Sequence, residues 1–283
     1  MVRSTKKLRQ IANEFRQDVV EMVFQAGSGH LAGSLSGTDV LVVLFFGGII
    51  NYEAGELVGR DRFILSAGHY CQAFCSVLSR LGYFPKSLLW TLRDLGSPLQ
   101  GHPHKGSLPG IELSSGALGQ GLSVGVGKAL GLKVKIHKSN AGSGKNTRVF
   151  VLMSDGEQNE GQVWEAAMTA SKYQLDNLIA IVDKNGIQSA GMTTEIMPLE
   201  DLREKYEAFG WKTEVVDGHD LEGLSRTMKE MRRNKEGKPK VIIAETVAGK
   251  GVSFLENDYR WHAKPINQRE YQRAFQELAK RRC

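Results

Sequence analysis

The sequence predicts an α/β fold, a parallel sheet covered by helices on both faces. Three observations predict it. Short apolar, β-branched runs recur at residues 148–154, 178–183, 212–216 and 240–245. Helical patterns at 160–173, 199–209 and 221–233 separate them. The runs read as apolar throughout rather than alternating apolar with polar, as parallel strands do when both faces are covered. In such sheets ligands bind beyond the carboxyl ends of the strands, so polar residues there matter most for function.

Taken in order, the N-terminal part is the more helical. Residues 8–25 carry Leu8, Ile11, Ala12, Phe15, Val19, Met22 and Val23 at a 3.6-residue period, one face of a helix. Residues 38–46 are apolar nearly all round, which suits a buried helix. The apolar run at 62–66 reads as a further strand. Cys71 and Cys75 stand four apart in a helical stretch, so they share a face as two buried thiols. Residues 116–132 follow a helical pattern but include Gly119, Gly121, Gly125, Gly127 and Gly131. Glycine at that density lets the backbone approach a neighbouring helix or a ligand closely. Residues 139–146 form a Gly/Ser/Lys turn, and 267–281 a last helix. No internal repeat or boundary divides the chain, so a single domain over residues 1–283 is expected.

Composition excludes several function classes. The chain has 283 residues, 41% hydrophobic and 24% charged, enough to bury a substantial core. No run of eighteen apolar residues predicts a membrane span. The basic start, Met1 to Lys7, leads into no apolar segment, so no signal peptide is expected. Three cysteines make no disulfide framework and suit the cytoplasm. The net charge of +6 is scattered. Its densest cluster, Arg232-Arg233-Asn234-Lys235-Glu236-Gly237-Lys238, sits at a helix end, where cations complement the dipole. It reads as a solvated helix end rather than a nucleic-acid patch.

The strongest chemical signal is Ser154-Asp155-Gly156-Glu157, directly after one strand and before a helix. Thirty residues on, Asp183-Lys184-Asn185 follows the next strand. Asp155 and Asn185 then stand at the ends of two successive parallel strands. One carboxylate and one amide oxygen converging there suit a hard cation such as Mg²⁺, which completes its octahedron with phosphate oxygens and water. Gly156 admits a phosphate to the backbone, and the helix beginning near Glu160 offers its positive end. Two ordinary strand-end turns are the bland alternative. Of the seven histidines, His30, His69, His102 and His262 neighbour glycine or sit in loops near element ends. A lone loop histidine is usually solvated, but four suggest a polar cleft whose imidazoles bind hydroxyls and phosphate and move protons near neutral pH. His104, His137 and His219 read as ordinary.

The pair Asp155/Asn185 resembles the thiamine-diphosphate fingerprint, Gly-Asp-Gly followed some thirty residues later by Asn, with Ser154 in place of the first Gly. Further segments resemble the transketolase family, in its order: Gly27-Ser28-Gly29-His30, Leu65-Ser66-Ala67-Gly68-His69, Gly101-His102-Pro103, Ser115-Gly116-Ala117-Leu118-Gly119-Gln120-Gly121, and Gly249-Lys250-Gly251-Val252-Ser253-Phe254 followed by Trp261-His262. The resemblance covers nearly the whole chain. It implies the family's diphosphate-binding (PP) fold, with thiamine diphosphate and Mg²⁺ (or Ca²⁺ or Mn²⁺) as cofactors. Asp155, Asn185 and the carbonyl of Ile187 would hold the metal. His69, His262, Gly156 and Asn185 would contact the diphosphate, while His30, His102 and His262 would serve the chemistry. Gly116 and Leu118 would line the cofactor's rings. Glu160 and Glu165 match acidic positions which in the family lie at the interface between subunits, near the cofactor. Ala263 follows His262 where the family usually has Gly.

The resemblance also implies something missing. Thiamine diphosphate reacts once its thiazolium C2 has lost a proton, which requires an activated aminopyrimidine. In the family a glutamate on a following pyrimidine-binding domain activates it. This chain ends at Cys283, just after the last helix. The expectation is therefore the N-terminal subunit of a split transketolase. It would work with a C-terminal partner subunit, in a cytoplasmic heterotetramer, on sugar or sugar-phosphate substrates. The alternatives are a non-catalytic scaffold and a deoxyxylulose-phosphate-synthase-like or other specialised ketose-transferase subunit.

Overall fold

The computed structural model describes residues 3–55, 59–138 and 147–280. The helices are α1 (Thr5–Ala26), α2 (Leu31–Ser36), α3 (Thr38–Phe46), α4 (Cys71–Arg80), α5 (Gln120–Lys138), α6 (Gly161–Lys172), α7 (Thr193–Ile196), α8 (Leu202–Ala208), α9 (Leu221–Arg233) and α10 (Gln268–Lys280). The strands are β1 (Arg62–Leu65), β2 (Val149–Ser154), β3 (Leu178–Lys184), β4 (Ile187–Gln188), β5 (Gly191–Met192), β6 (Lys212–Asp217) and β7 (Lys240–Glu245). Five of them form one parallel sheet in the order β1-β2-β3-β7-β6, and β4 pairs with β5 in a small antiparallel ribbon. The turn at 139–146 lies outside the described residues, as do Cys283 and Arg281, the last residue of the expected terminal helix.

The period of two along each strand sorts side chains between two layers. Phe63, Leu65, Phe150, Leu152, Ile179, Ile181, Ile242 and Ala244 pack with α1, α3, α4, α9 and α10. Ile64, Val149, Val151, Met153, Leu178, Ala180, Val182, Val241 and Ile243 face the other way, against α5, α6 and α8. Both sets are apolar because both faces are covered. The exception is β6, which ends the sheet: Val215 is 40% exposed and Glu214 and Asp217 turn outward. The expectation of apolar strands throughout fails there because this edge is partly open to solvent, whereas the other edge, β1, is covered.

Helix boundaries follow local chemistry. Ser4 caps α1, Asp201 caps α8 and Asp220 caps α9, each accepting a bond from a first-turn N–H, worth about 1 kcal/mol apiece. The expected helix at 116–132 begins only at Gln120, because Gly116 and Gly119 take positive φ of 146° and 82° that a helix forbids. Within α5 the glycines divide. A Cβ on Gly121 would lie 2.2 Å from Ser66 Oγ and one on Gly125 2.6 Å from Val151 Cγ2, so both exist to seat α5 on the sheet. Gly127 and Gly131 face open space. Cys71 and Cys75 are free and buried, as expected.

Candidate active site

The parallel register carries Asp155 and Asn185 to one corner. Ser154 pairs with Asp183, so the next residues outward leave the carboxyl ends of adjacent strands together. Ser154 is still in the strand, an extended conformation open to any residue, which explains why glycine is dispensable there. Asp155 is 1% exposed. Its Oδ1 accepts from the Gly156 N–H at 2.8 Å and its Oδ2 from the Gly186 N–H at 2.7 Å. Burial pushes its carboxyl up to about 7, against the two backbone donors, and the neighbouring Asp183 adds to the rise.

Asn185 is oriented from behind. Its Nδ2 donates to Ser36 Oγ at 3.1 Å, Tyr70 Oη at 2.9 Å and Asp183 Oδ2 at 3.0 Å. Its Oδ1 is turned the other way, accepting from the Ile187 N–H at 3.1 Å. Fully buried Asp183 is the centre of this arrangement. It also accepts from Ser36 Oγ at 2.6 Å, Tyr70 Oη at 2.7 Å and Thr246 Oγ1 at 2.6 Å. Burial raises its carboxyl, and those donors oppose the rise. The sequence pattern marks Asp183 only as a strand-end residue and does not show this role. It gives no sign of Tyr70, whose ring fills the space that glycine leaves at Gly33 and Gly37.

The four histidines come from four separate segments: the residue before α2, a 3₁₀ turn after β1, the loop after Gly101, and the residue after the turn Tyr259–Trp261. Their rings nevertheless meet. His30 lies 5.6 Å from His69, 5.4 Å from His102 and 5.5 Å from His262, centroid to centroid, and His69 lies 5.2 Å from His262. They line a cleft of 320 Å³ together with Tyr70, Gly116, Leu118, Ser154, Gly156, Glu160, Asn185 and Ile187. Every residue the sequence singled out for this site is on that wall, except Asp155, which is packed behind it, and Glu165, which is exposed farther along α6. A larger surface cavity of 680 Å³, lined by Arg60, Arg62, Lys105 and Lys128, contains none of the four histidines.

Electrostatics keep the imidazoles neutral. Burial, then His262, His102 and Arg93, hold His30 down to about 4. Burial depresses His69 well below the usual range, with the other three rings adding to it. Burial also lowers His102, helped by Arg93, and His262. Arg93 is a further residue the sequence reading missed. It takes φ 66°, lies against Gly101, and donates to Ser28 Oγ at 3.3 Å, joining the loops that carry His102 and His30. Glu157 was missed as well. Completely buried, it accepts from Ser66 Oγ and from the Gly119 N–H at 2.8 Å, tying the glycine loop to β2, and burial pushes it up to about 6.

A stability prediction follows. A histidine held at about 4 when folded and at its ordinary 6.5 when unfolded favours the unfolded state as pH falls between those values. The raised carboxyls of Asp155 and Glu157 act with the opposite sign, so the comparison must be with a variant. Between pH 7 and pH 5, wild type should lose about 2 kcal/mol relative to His30→Asn. Urea unfolding of both proteins at both pH values measures this, and parallel pH dependences would contradict a neutral, half-buried His30.

Residues 7–280 match the family described as "Transketolase, thiamine diphosphate binding domain". The chain belongs to the transketolase family. It is 39% identical over 267 residues to an apulose-4-phosphate transketolase subunit of Phocaeicola vulgatus, covering 94% of this chain and 92% of that protein. It is 38% identical over 274 residues to a 6-deoxy-6-sulfo-D-fructose transketolase subunit of a Clostridium species, covering 96% of each. The transketolase from Leishmania mexicana superimposes with a TM-score of 0.91 at 29% identity, over 99% of this chain but 42% of that one. The chain thus spans less than half of the solved transketolase chains it matches and nearly all of the subunit proteins. The cofactor this membership implies is thiamine diphosphate. Among the described residues no helix is long and apolar enough to cross a membrane.

Proposed function

We propose that this chain is the diphosphate-binding subunit of a split transketolase. It transfers a two-carbon ketol unit from a ketose or ketose phosphate to an aldose, and acts only with a partner subunit carrying the pyrimidine-binding and C-terminal domains. One observation carries the reading: four neutral imidazoles and the Asp155/Asn185 corner converge on a single cleft in a chain whose subunit relatives are of nearly the same extent. A cytoplasmic heterotetramer in sugar metabolism is the setting that goes with it.

The residues present fit the cofactor. Asp155 is a buried carboxylate beside a second one, a pair that a divalent cation would compensate. Asn185 has its amide nitrogen engaged behind, which leaves its oxygen to the cleft side. With the carbonyl of Ile187 these make a hard oxygen set for Mg²⁺, with Ca²⁺ or Mn²⁺ as substitutes. His30 Nδ1 is buried without a hydrogen-bond partner among the described residues, a polar atom that a bound group would satisfy. Gly156, His69 and His262 border the diphosphate's place, and Gly116 and Leu118 the rings. Glu160, exposed at the start of α6 beside Gly119, stands where the partner would meet the cofactor.

When bound, thiamine diphosphate supplies the carbon nucleophile and electron sink for breaking the bond next to a ketose carbonyl. The chain's own residues bind and move protons. Neutral imidazoles both donate and accept, so His30 and His102 hold the donor sugar's oxygens and exchange protons with them near pH 7. In the assembled enzyme His102→Ala should lower kcat/KM on the order of 10²–10⁴-fold. Affinity for thiamine diphosphate should change only a few-fold. Steady-state kinetics with ketose-phosphate and pyruvate donors, beside calorimetry of cofactor binding, tests both points. An unchanged rate would return His102 to an ordinary loop histidine, and turnover of pyruvate alone would replace ketol transfer.

A further inference from the structure

His219 lies outside the cleft, in the Asp217–Asp220 turn between β6 and α9, yet its ring is 12% exposed and fully bonded. Its Nδ1 is 2.7 Å from Asp39 Oδ2 and its Nε2 2.9 Å from the Val247 nitrogen. The two partners decide the tautomer. Arg16, 2.7 Å from the same carboxylate oxygen, and His219 together hold Asp39 below the usual carboxylate range despite the opposing effect of burial. An ionised carboxylate can only accept, so Nδ1 carries the proton. A backbone N–H can only donate, so Nε2 is bare. The ring therefore joins α3 to the segment that leaves β7, in one neutral tautomer.

That segment reaches the cleft from two sides. Ala248, next to Val247, is completely buried against Ala32 and Ile187, respectively two residues beyond His30 and the carbonyl donor proposed for the metal. The Gly249 N–H donates to the Ala32 carbonyl at 3.0 Å. The Ala248 carbonyl accepts from Asn257 N–H at 3.0 Å, and the next residue, Asp258, caps the turn that presents His262: its carboxylate accepts from Arg260 N–H and its carbonyl from Trp261 N–H. Thr246 on the other side donates to Asp183, which orients Asn185. The Val247 amide thus sits at the middle of the contacts that lead to His262, Ile187 and Asn185.

We propose that His219 is a positioning residue of the cofactor site, acting through its bond to the Val247 N–H. This rests on the functional reading above for its consequence but not for its local geometry. The test uses two substitutions in the full-length chain. His219→Asn places an amide where Nδ1 stands, so it keeps a donor for Asp39 and is too short to reach Val247. His219→Gln extends an acceptor to the position of Nε2. Amide hydrogen exchange is read in the free protein, and Mg²⁺–thiamine diphosphate affinity by calorimetry.

In His219→Asn, protection should fall at residues 247–249 and 257–262 while the strands of the sheet keep theirs. Cofactor affinity should drop about tenfold, the worth of one well-placed hydrogen bond. His219→Gln should recover most of both. Wild-type protection and affinity in the Asn variant, or a Gln variant no better than Asn, would overturn the proposal. If wild type itself bound no thiamine diphosphate, the functional reading would fail instead, and the exchange pattern would still decide whether His219 anchors Val247.

Discussion

Replacing Asp155 with alanine should abolish Mg²⁺-dependent binding of thiamine diphosphate while leaving the chain folded. In the proposed site the carboxylate would be one of three oxygens offered to the cation and the only one carrying charge. Without it only two neutral oxygens, Asn185 Oδ1 and a carbonyl, would hold the cation, and the diphosphate would lose its counter-charge. The loss should be at least on the order of 10²-fold, beyond the few-fold effect of an ordinary polar contact. Folding should survive because the free protein gains little from this ionised side chain, which burial pushes up to about 7. Alanine does leave the Gly156 and Gly186 N–H groups without their acceptor. Asp155→Asn, which keeps an acceptor oxygen and removes the charge, separates the two effects and should bind as poorly as alanine. Calorimetry showing affinity within a few-fold of wild type for either variant, with an intact unfolding transition, would sink the metal assignment.

Much of this was legible because it depends on short-range pattern. Strands buried on both faces, a 3.6-residue period in α1 and polar residues at strand ends can all be read from neighbours in the chain. The Asp155/Asn185 corner was legible because one crossover, α6, separates two strands that pair directly. The histidine cleft was legible only as four similar loop residues, and resemblance to the family, rather than spacing, brought them together. What stayed hidden depends on contacts between distant segments. Asp183 looked like the last residue of a strand until Ser36, Tyr70 and Thr246 were brought against it from three other parts of the chain. Glu157 was only the last residue of the strand-end signal until Ser66 and Gly119 closed on it. His219 read as ordinary because its two partners lie 180 and 28 residues away. The polar character of β6 was visible in Glu214, but not that this strand would be the sheet's solvent-exposed edge.

The central claim is that the site is half of a site, and the most direct measurement is turnover with and without a partner. The cleft gathers four imidazoles with the proposed metal and diphosphate contacts, and none of the residues proposed for it activates the aminopyrimidine ring. The relatives of matching extent are named as subunits, and the proposal has a second chain supply that group. A coupled assay with thiamine diphosphate, Mg²⁺ and a ketose-phosphate donor should detect no turnover above background from this chain alone. Adding a partner that carries the pyrimidine-binding and C-terminal domains should restore both tight cofactor binding and ketol transfer. Robust turnover by the rigorously purified single chain would contradict the account and require a catalytic base within these 283 residues.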